Sequence, residues 1–143
     1  MKLNVPVSSI MTTNIIKLNL SDDLSKAEEI FKNHKIRHIP VVDGDEMVGI
    51  LSYSDLLRVS YADVADDDAE NIESIVFNMF SIPQVMTKNI TVVTPETSIK
   101  DAAKILSEKE FHALPVCKSK SLVGIVTTTD LIKYLLEQYS TNE

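Results

Sequence analysis

The chain of 143 residues carries one cysteine and three glycines, and each scarcity closes a class of function. A single thiol, Cys117, excludes an internal disulfide. It lies in an apolar run and reads as a small core residue in a reducing compartment, so a cytoplasmic setting is expected. Three glycines are too few for a glycine-rich phosphate loop. The patterns G-x-x-x-x-G-K-S/T, G-x-G-x-x-G and G-x-S-x-G are all missing, and no enzyme activity is expected. The run Thr127-Thr128-Thr129-Asp130 offers hydroxyls, but no base at a meaningful spacing turns one into a nucleophile. His34, His38 and His112 are dispersed and there is no cysteine pair, so no metal site has a recognisable spacing. No apolar run approaches the roughly 20 residues of a membrane span. The beginning of the chain lacks the basic-then-apolar pattern of a secretory signal. Basic residues are also short, 14 Lys and Arg against 21 Asp and Glu, for a net charge of −7. The deficit lies in residues 1–80, with 7 basic and 14 acidic groups (7 − 14 = −7), whereas residues 81–143 carry 7 of each. Nucleic acid, which calls for a basic patch, is not an expected partner. Any bound anion must be held by a few local groups.

What the chain does have, it has twice. Val48-Gly49-Ile50-Leu51-Ser52-Tyr53-Ser54-Asp55-Leu56 returns 75 positions later as Val123-Gly124-Ile125-Val126-Thr127-Thr128-Thr129-Asp130-Leu131. Sliding residues 10–58 onto 85–133 needs no gap and matches 13 of 49 positions, among them Met11/Met86, Thr12/Thr87, Pro40/Pro115, Gly49/Gly124 and Asp55/Asp130. Chance at ordinary composition would match about three. A duplication on this scale sets the architecture before any single motif does, and two copies predict one closed, pseudo-twofold unit.

Within each copy the elements follow from periodicity. Val5-Pro6-Val7 reads as extended lead-in. Ile15 to Leu18 predicts a brief strand, and Ser21-Asp22-Asp23 a helix start with acids at the positive end of the helix dipole. Leu24, Ala27, Ile30 and Phe31 form one apolar helix face ending near Lys35. Ile39-Pro40-Val41-Val42 predicts a short strand, Asp43-Gly44-Asp45 a turn, and Met47 to Leu51 the return strand. A closing helix is expected from Ser54. In the second copy Pro95-Glu96-Thr97-Ser98 starts a helix with Ile99, Ala102 and Leu106 inward, followed by a strand over Phe111 to Cys117. Each copy thus reads β-α-β-β-α, and about 50 residues are too few to cover a three-stranded sheet well. Two copies packed through their sheets would share a core. Residues 63–80 separate them as an acidic linker with a connecting helix whose apolar positions are Ile72, Ile75, Val76, Met79 and Phe80.

Each strand-to-helix corner gathers two hydroxyls and a carboxylate. Phosphate is well served by hydroxyl and amide donors at a helix N-terminus. A ribose diol is well served by a bidentate carboxylate. Adenine calls for an apolar slot rimmed by backbone polar groups. Gly49 and Gly124 allow a close approach to the strand. The structural reading of the same residues is helix capping. Ser54 before Asp55 and Thr129 before Asp130 make good N-cap pairs, which leaves Ser52 and Thr127 for ligand.

The order M-T, strand, helix, R-H-I-P-V-V, turn and G-I-L-S-Y-S-D-L, given twice, resembles a CBS domain pair, or Bateman module, with repeats at residues 5–62 and 81–139. The resemblance implies an α/β (α+β) fold of two β-α-β-β-α repeats with pseudo-twofold symmetry. It also implies a regulatory binding module without catalysis, of a kind found alone or attached to enzymes, channels and transporters; a free-standing one is expected here. Such a module binds AMP, ADP, ATP or a related adenosyl compound in the clefts between repeats and commonly forms a homodimer. No cofactor is required and no membrane is involved; a protein partner that reads the ligand state is a further expectation. By position, Asp55 and Asp130 would accept from ribose. Ser52, Ser54, Thr127, Thr129, Thr12 and Thr87 would donate to phosphate. Backbone near Ile15, Ile16 and Ile90 would read the adenine edge, with Ile50 and Ile125 at its faces. Arg37, His38 and His112 would face phosphate, reaching from the opposite copy. His112 and Ala113 stand where the first copy has Arg37 and His38, so the two clefts are expected to differ in affinity. The competing reading is a structural dimerisation module whose clefts bind nothing.

Overall fold

In a computed structural model, which describes residues 4–62, 79–109 and 112–141, the chain divides into two units that do not follow the sequence repeat. One comprises Ile16–Ile90; the other combines Met1–Ile15 with Thr91–Glu143. The lead-in of each copy therefore belongs to the body of the other copy.

In the 16–90 unit, Asp23 opens the first helix, α1 (Leu24–His34), its carboxylate accepting the Lys26 N–H at 2.8 Å. The helix ends at Lys35, which adopts the left-handed conformation with φ 53°. Strand β1 (Leu18–Asn19) runs parallel to β2 (His38–Asp43), which pairs antiparallel with β3 (Glu46–Ser52). Because β1 reaches only Val41 and Val42, Pro40 has no missing bond on that side and is tolerated inside β2. Gly44 makes the hairpin turn with φ 66°, a conformation glycine adopts without a side-chain penalty. Helix α2 (Tyr53–Ala62) follows β3 directly. A short helix, α3 (Ile82–Val85), is held by a reciprocal capping box between Ser81 and Gln84. Leu18, Leu24, Ile39, Val41, Leu51, Leu56 and Ile82 form the buried core, with Phe31 set edge-on to Tyr53 at 5.3 Å. Burial of each large aliphatic contributes about 1.5–3 kcal/mol.

The other unit repeats the plan with α4 (Ile99–Glu108), β4 (Ala113–Lys118), β5 (Ser121–Thr127) and α5 (Thr128–Thr141). Ser98 caps α4 by accepting the Asp101 N–H at 3.0 Å. Where the first unit has β1, this one has only the parallel bridge Val93–Val116. Residues from the start of the chain complete it. Val7 donates to Thr97 C=O at 2.8 Å, Ile99 donates to Val5 C=O at 2.8 Å, and Val7 is fully buried beside Leu114, Val116 and Val126. Cys117 is buried, and burial pushes its thiol pKa up from the ordinary value of 9.0.

Some boundaries differ from expectation. The strand predicted over Ile15–Leu18 forms at Leu18–Asn19, and Val7 begins a 3-10 turn, Val7–Ser9, instead of extending Pro6. The acidic linker and the positions Ile72, Ile75 and Val76 lie outside the described residues, as does Phe111. Met79 is exposed, whereas Phe80 packs on the first core. Among the described residues no helix is long and apolar enough to cross a membrane.

Candidate functional site

Backbone pairing assembles the corner of the 16–90 unit. His38 lies opposite Ser52 in the β2–β3 register, and Arg37 C=O accepts the Tyr53 N–H at 2.8 Å. These contacts place Arg37 and His38 beside the start of α2. Ile50 and Thr87 exchange N–H···O bonds of 2.9 and 2.8 Å, which lays the segment carrying Thr87 along β3. Ser52 Oγ accepts the Asp55 N–H at 3.0 Å. The Asp55 carboxylate pairs with Arg58, Nη1 to Oδ1 3.3 Å, on the same helix face.

The second corner is built the same way from the other unit. Thr128 donates to His112 C=O at 2.9 Å, Ala113 faces Thr127, and Thr12 exchanges bonds of 2.7 and 2.9 Å with Ile125. Thr127 Oγ1 accepts the Asp130 N–H at 3.0 Å, and Asp130 Oδ2 accepts the Thr127 N–H at 3.1 Å. This is a reciprocal capping box. Thr12 Oγ1 also donates to Asp130, at 3.3 Å to Oδ2 and 3.5 Å to Oδ1, long for a hydroxyl donor.

These bonds correct the sequence reading of the caps. Ser52 and Thr127, read as spare for ligand, are the residues that cap; Ser54 and Thr129, read as caps, lie inside the first helical turn and are exposed. The reason is that each helix begins one or two residues earlier than expected, directly from the strand. Capping does not remove Ser52 and Thr127 from a site, since a hydroxyl that accepts one backbone N–H keeps its own proton to donate.

The structure brings Thr87, Ile50, Ser52, Ser54, Asp55, Arg37 and His38 to one corner, and Thr12, Ile125, Thr127, Thr129, Asp130 and His112 to the other. The pairing of threonines is crossed: Thr12 serves the carboxylate of the second copy and Thr87 the corner of the first. Ile15, Ile16 and Ile90 are half-buried and lie outside the strands. Asp55 and Asp130 are half-buried at the surface, while Arg37, His38 and His112 are exposed.

Two features were missed in the sequence. Arg58 stands three residues after Asp55, where an ion pair on one helix face is expected, and the duplication aligns it with Lys133. Met86 and Met11 are the other. A Cβ on Gly49 would lie 2.6 Å from Met86 Sδ and 3.0 Å from Thr87 O; one on Gly124 would lie 2.5 Å from Met11 Sδ. The paired Met/Gly identities of the repeat were its visible trace.

Two β-to-α corners of this kind, each completed by the lead-in of the other copy, define a duplicated module. The CBS domain family profile matches residues 7–62 and 82–137, and the chain belongs to the CBS domain family. It is 28% identical over 141 residues to the uncharacterized protein MJ1225 of Methanocaldococcus jannaschii, covering 98% of this chain and 46% of that protein. The chain spans less than half the length of the first curated relatives it matches. The crystal structure of the CBS-pair protein CBSX2 from Arabidopsis thaliana superposes with a TM-score of 0.81 at 25% identity, covering 96% of this chain and 98% of that one. A crystal structure of CBSX2 in complex with AMP superposes with a TM-score of 0.77 at 25% identity, covering 94% and 98%. The fold is thus an α+β pair of CBS repeats.

Proposed function

We propose that this chain is a regulatory module that binds an adenine nucleotide or a related adenosyl compound at its two strand-to-helix corners. The observation that carries the proposal is the duplicated corner itself. In each unit a half-buried carboxylate, Asp55 or Asp130, stands one turn into a helix beside a strand-end hydroxyl, Ser52 or Thr127, and an exposed one, Ser54 or Thr129. Carboxylate for ribose, hydroxyls for phosphate and the flanks of Ile50 and Ile125 for adenine form a complementary set. The AMP complex of CBSX2 supports it by likeness. The residues supply no catalytic chemistry, and no cofactor is needed. Ligand acts by favouring one arrangement of the chain, which a partner then reads.

Calorimetric titration of the chain with AMP, ADP, ATP and S-adenosylmethionine is expected to show saturable binding of at least one. Folded protein with a flat response to all four would overturn the proposal.

The partner surface is a second copy of the chain. Ile132, Leu135, Leu136 and Tyr139 line one exposed stripe of α5, with exposures of 57, 42, 58 and 65%. The spacing is that of a helix face which ordinarily packs on another helix. Light scattering after size exclusion is expected to report a dimer, and Leu135→Lys with Leu136→Lys to shift it to monomer. A monomeric native chain would refute this pairing.

A further inference from the structure

The two corners share a plan but differ in the company their carboxylates keep. Asp130 is held by a neutral donor, the Thr127 N–H at 3.1 Å, with the Thr12 hydroxyl at a longer 3.3 Å. Asp55 is held by a guanidinium, Arg58 Nη1 at 3.3 Å, whose side chain is 76% exposed. The difference extends around each corner. Arg37, Arg58 and Lys88 of the 16–90 unit correspond by the repeat to His112, Lys133 and Thr13 of the other. Arg37 C=O accepts from Tyr53, the first residue of α2, and Lys88 follows Thr87, which is bonded to Ile50. Counting these positions with the carboxylate and taking histidine as neutral gives 3 − 1 = +2 at the Asp55 corner and 1 − 1 = 0 at the Asp130 corner. The positive corner lies in the part of the chain whose total charge is negative. Arg58 is paired with Asp55 itself, and Arg37 and Lys88 adjoin backbone that is bonded at the same corner.

Resting on the adenine reading above, we infer that the Asp55 corner is the site for nucleoside di- and triphosphates, with Arg58 the residue that selects for the phosphate chain. The Asp130 corner takes adenosyl ligands of lower negative charge. An exposed ion pair within one helix turn contributes little to stability, so Arg58 leaves Asp55 at small cost. Asp55 is then free for a ribose diol, and the guanidinium turns its fork of donors to phosphate oxygens. Lys133 offers a point charge at the matching position, without the bidentate fork.

The test is calorimetry on the full chain with ATP, AMP and adenosine as probes, at fixed ionic strength. Wild type is expected to show a site that prefers ATP to AMP. Arg58→Gln should lower the ATP-to-AMP affinity ratio at that site about tenfold, with Arg58→Lys intermediate and the unliganded melting temperature unmoved. Asp55→Asn should remove the ATP-selective site. An unchanged ratio in Arg58→Gln, or ATP selectivity that survives Asp55→Asn, overturns the assignment while leaving adenine binding standing. Failure of the folded wild type to bind all three probes removes the adenine reading and this inference with it.

Discussion

Gly49→Ala is expected to lower the melting temperature by roughly 5–10 °C, and Gly124→Ala by far less, although the two glycines occupy equivalent positions in the repeat. The backbone at both is compatible with alanine, since Gly44 is the glycine with positive φ. Replacement by alanine in such a conformation stiffens the unfolded chain and by itself stabilises by about 0.4–1 kcal/mol. The added methyl then meets its neighbours. At Gly124 the three nearest atoms are Met11 Sδ, Cγ and Cε, all on one flexible side chain that can swing aside. At Gly49 the methyl meets Met86 Sδ at 2.6 Å and the Thr87 carbonyl oxygen at 3.0 Å. That oxygen accepts the Ile50 N–H at 2.9 Å, so it cannot retreat without breaking the bridge that lays the second lead-in along β3. Overpacking costs about 1–3 kcal/mol and a lost backbone bond about 1 kcal/mol more, so the net loss at Gly49 is about 2–3 kcal/mol. Thermal denaturation of the two variants side by side checks this. Equal shifts, or a Gly49→Ala protein more stable than wild type, would show that the Thr87 strap is loose.

The same contacts mark where the sequence was legible and where it was not. The periods of Leu24, Ala27 and Phe31 and of Ile99, Ala102 and Leu106 gave α1 and α4 correctly, because each buried face is fixed by local spacing. The strand pair around Gly44 was equally readable, since a left-handed glycine between two apolar runs leaves few alternatives. The exchange of lead-ins was not. Residues 5–12 and 82–87 are short and lack periodicity, and their partners, Thr97, Ile99, Ile125 and Ile50, lie far away in the chain. Only the pairing of Met11 with Gly124 and Met86 with Gly49 discloses it, and that pairing is invisible while each copy is read as self-contained. The caps failed for a different reason. Serine and threonine crowd both corners, at Ser52 and Ser54 and at Thr127, Thr128 and Thr129, and any of them suits an N-cap. The choice falls on Ser52 and Thr127 because the strand ends there, which depends on pairing with His38 and Ala113. Ser52, Asp55, Thr127 and Asp130 were legible as neighbours at the corners, while the ion pair of Asp55 with Arg58, three residues further along, was hidden among ordinary surface charges.

Asp130→Asn and Asp130→Ala are expected to separate two roles that one carboxylate combines. In the unliganded chain Asp130 Oδ2 accepts the Thr127 N–H at 3.1 Å and closes a capping box. The asparagine carbonyl is the same shape and accepts that bond, so Asp130→Asn should melt within about 1 °C of wild type. Asp130→Ala leaves the N–H without its acceptor and should cost about 1 kcal/mol, a few degrees. Binding divides differently. A ribose diol donates two hydrogen bonds, and an ionised carboxylate accepts both with charge assistance, whereas an amide offers one acceptor and presents donors in place of the other. Loss of one charge-assisted bond is worth about 1.5–3 kcal/mol, which is roughly 10- to 100-fold in affinity. Asp130→Asn is therefore expected to lose that much affinity for AMP at this corner in calorimetric titration and Asp130→Ala at least as much, while only the alanine loses stability. If Asp130→Asn bound AMP as wild type does and Asp130→Ala melted low, the residue would be a helix cap and nothing more. The repeated acid of the corner would then owe its place to the start of a helix, and the ribose assignment at Asp55, made on the same geometry, would lose its footing as well.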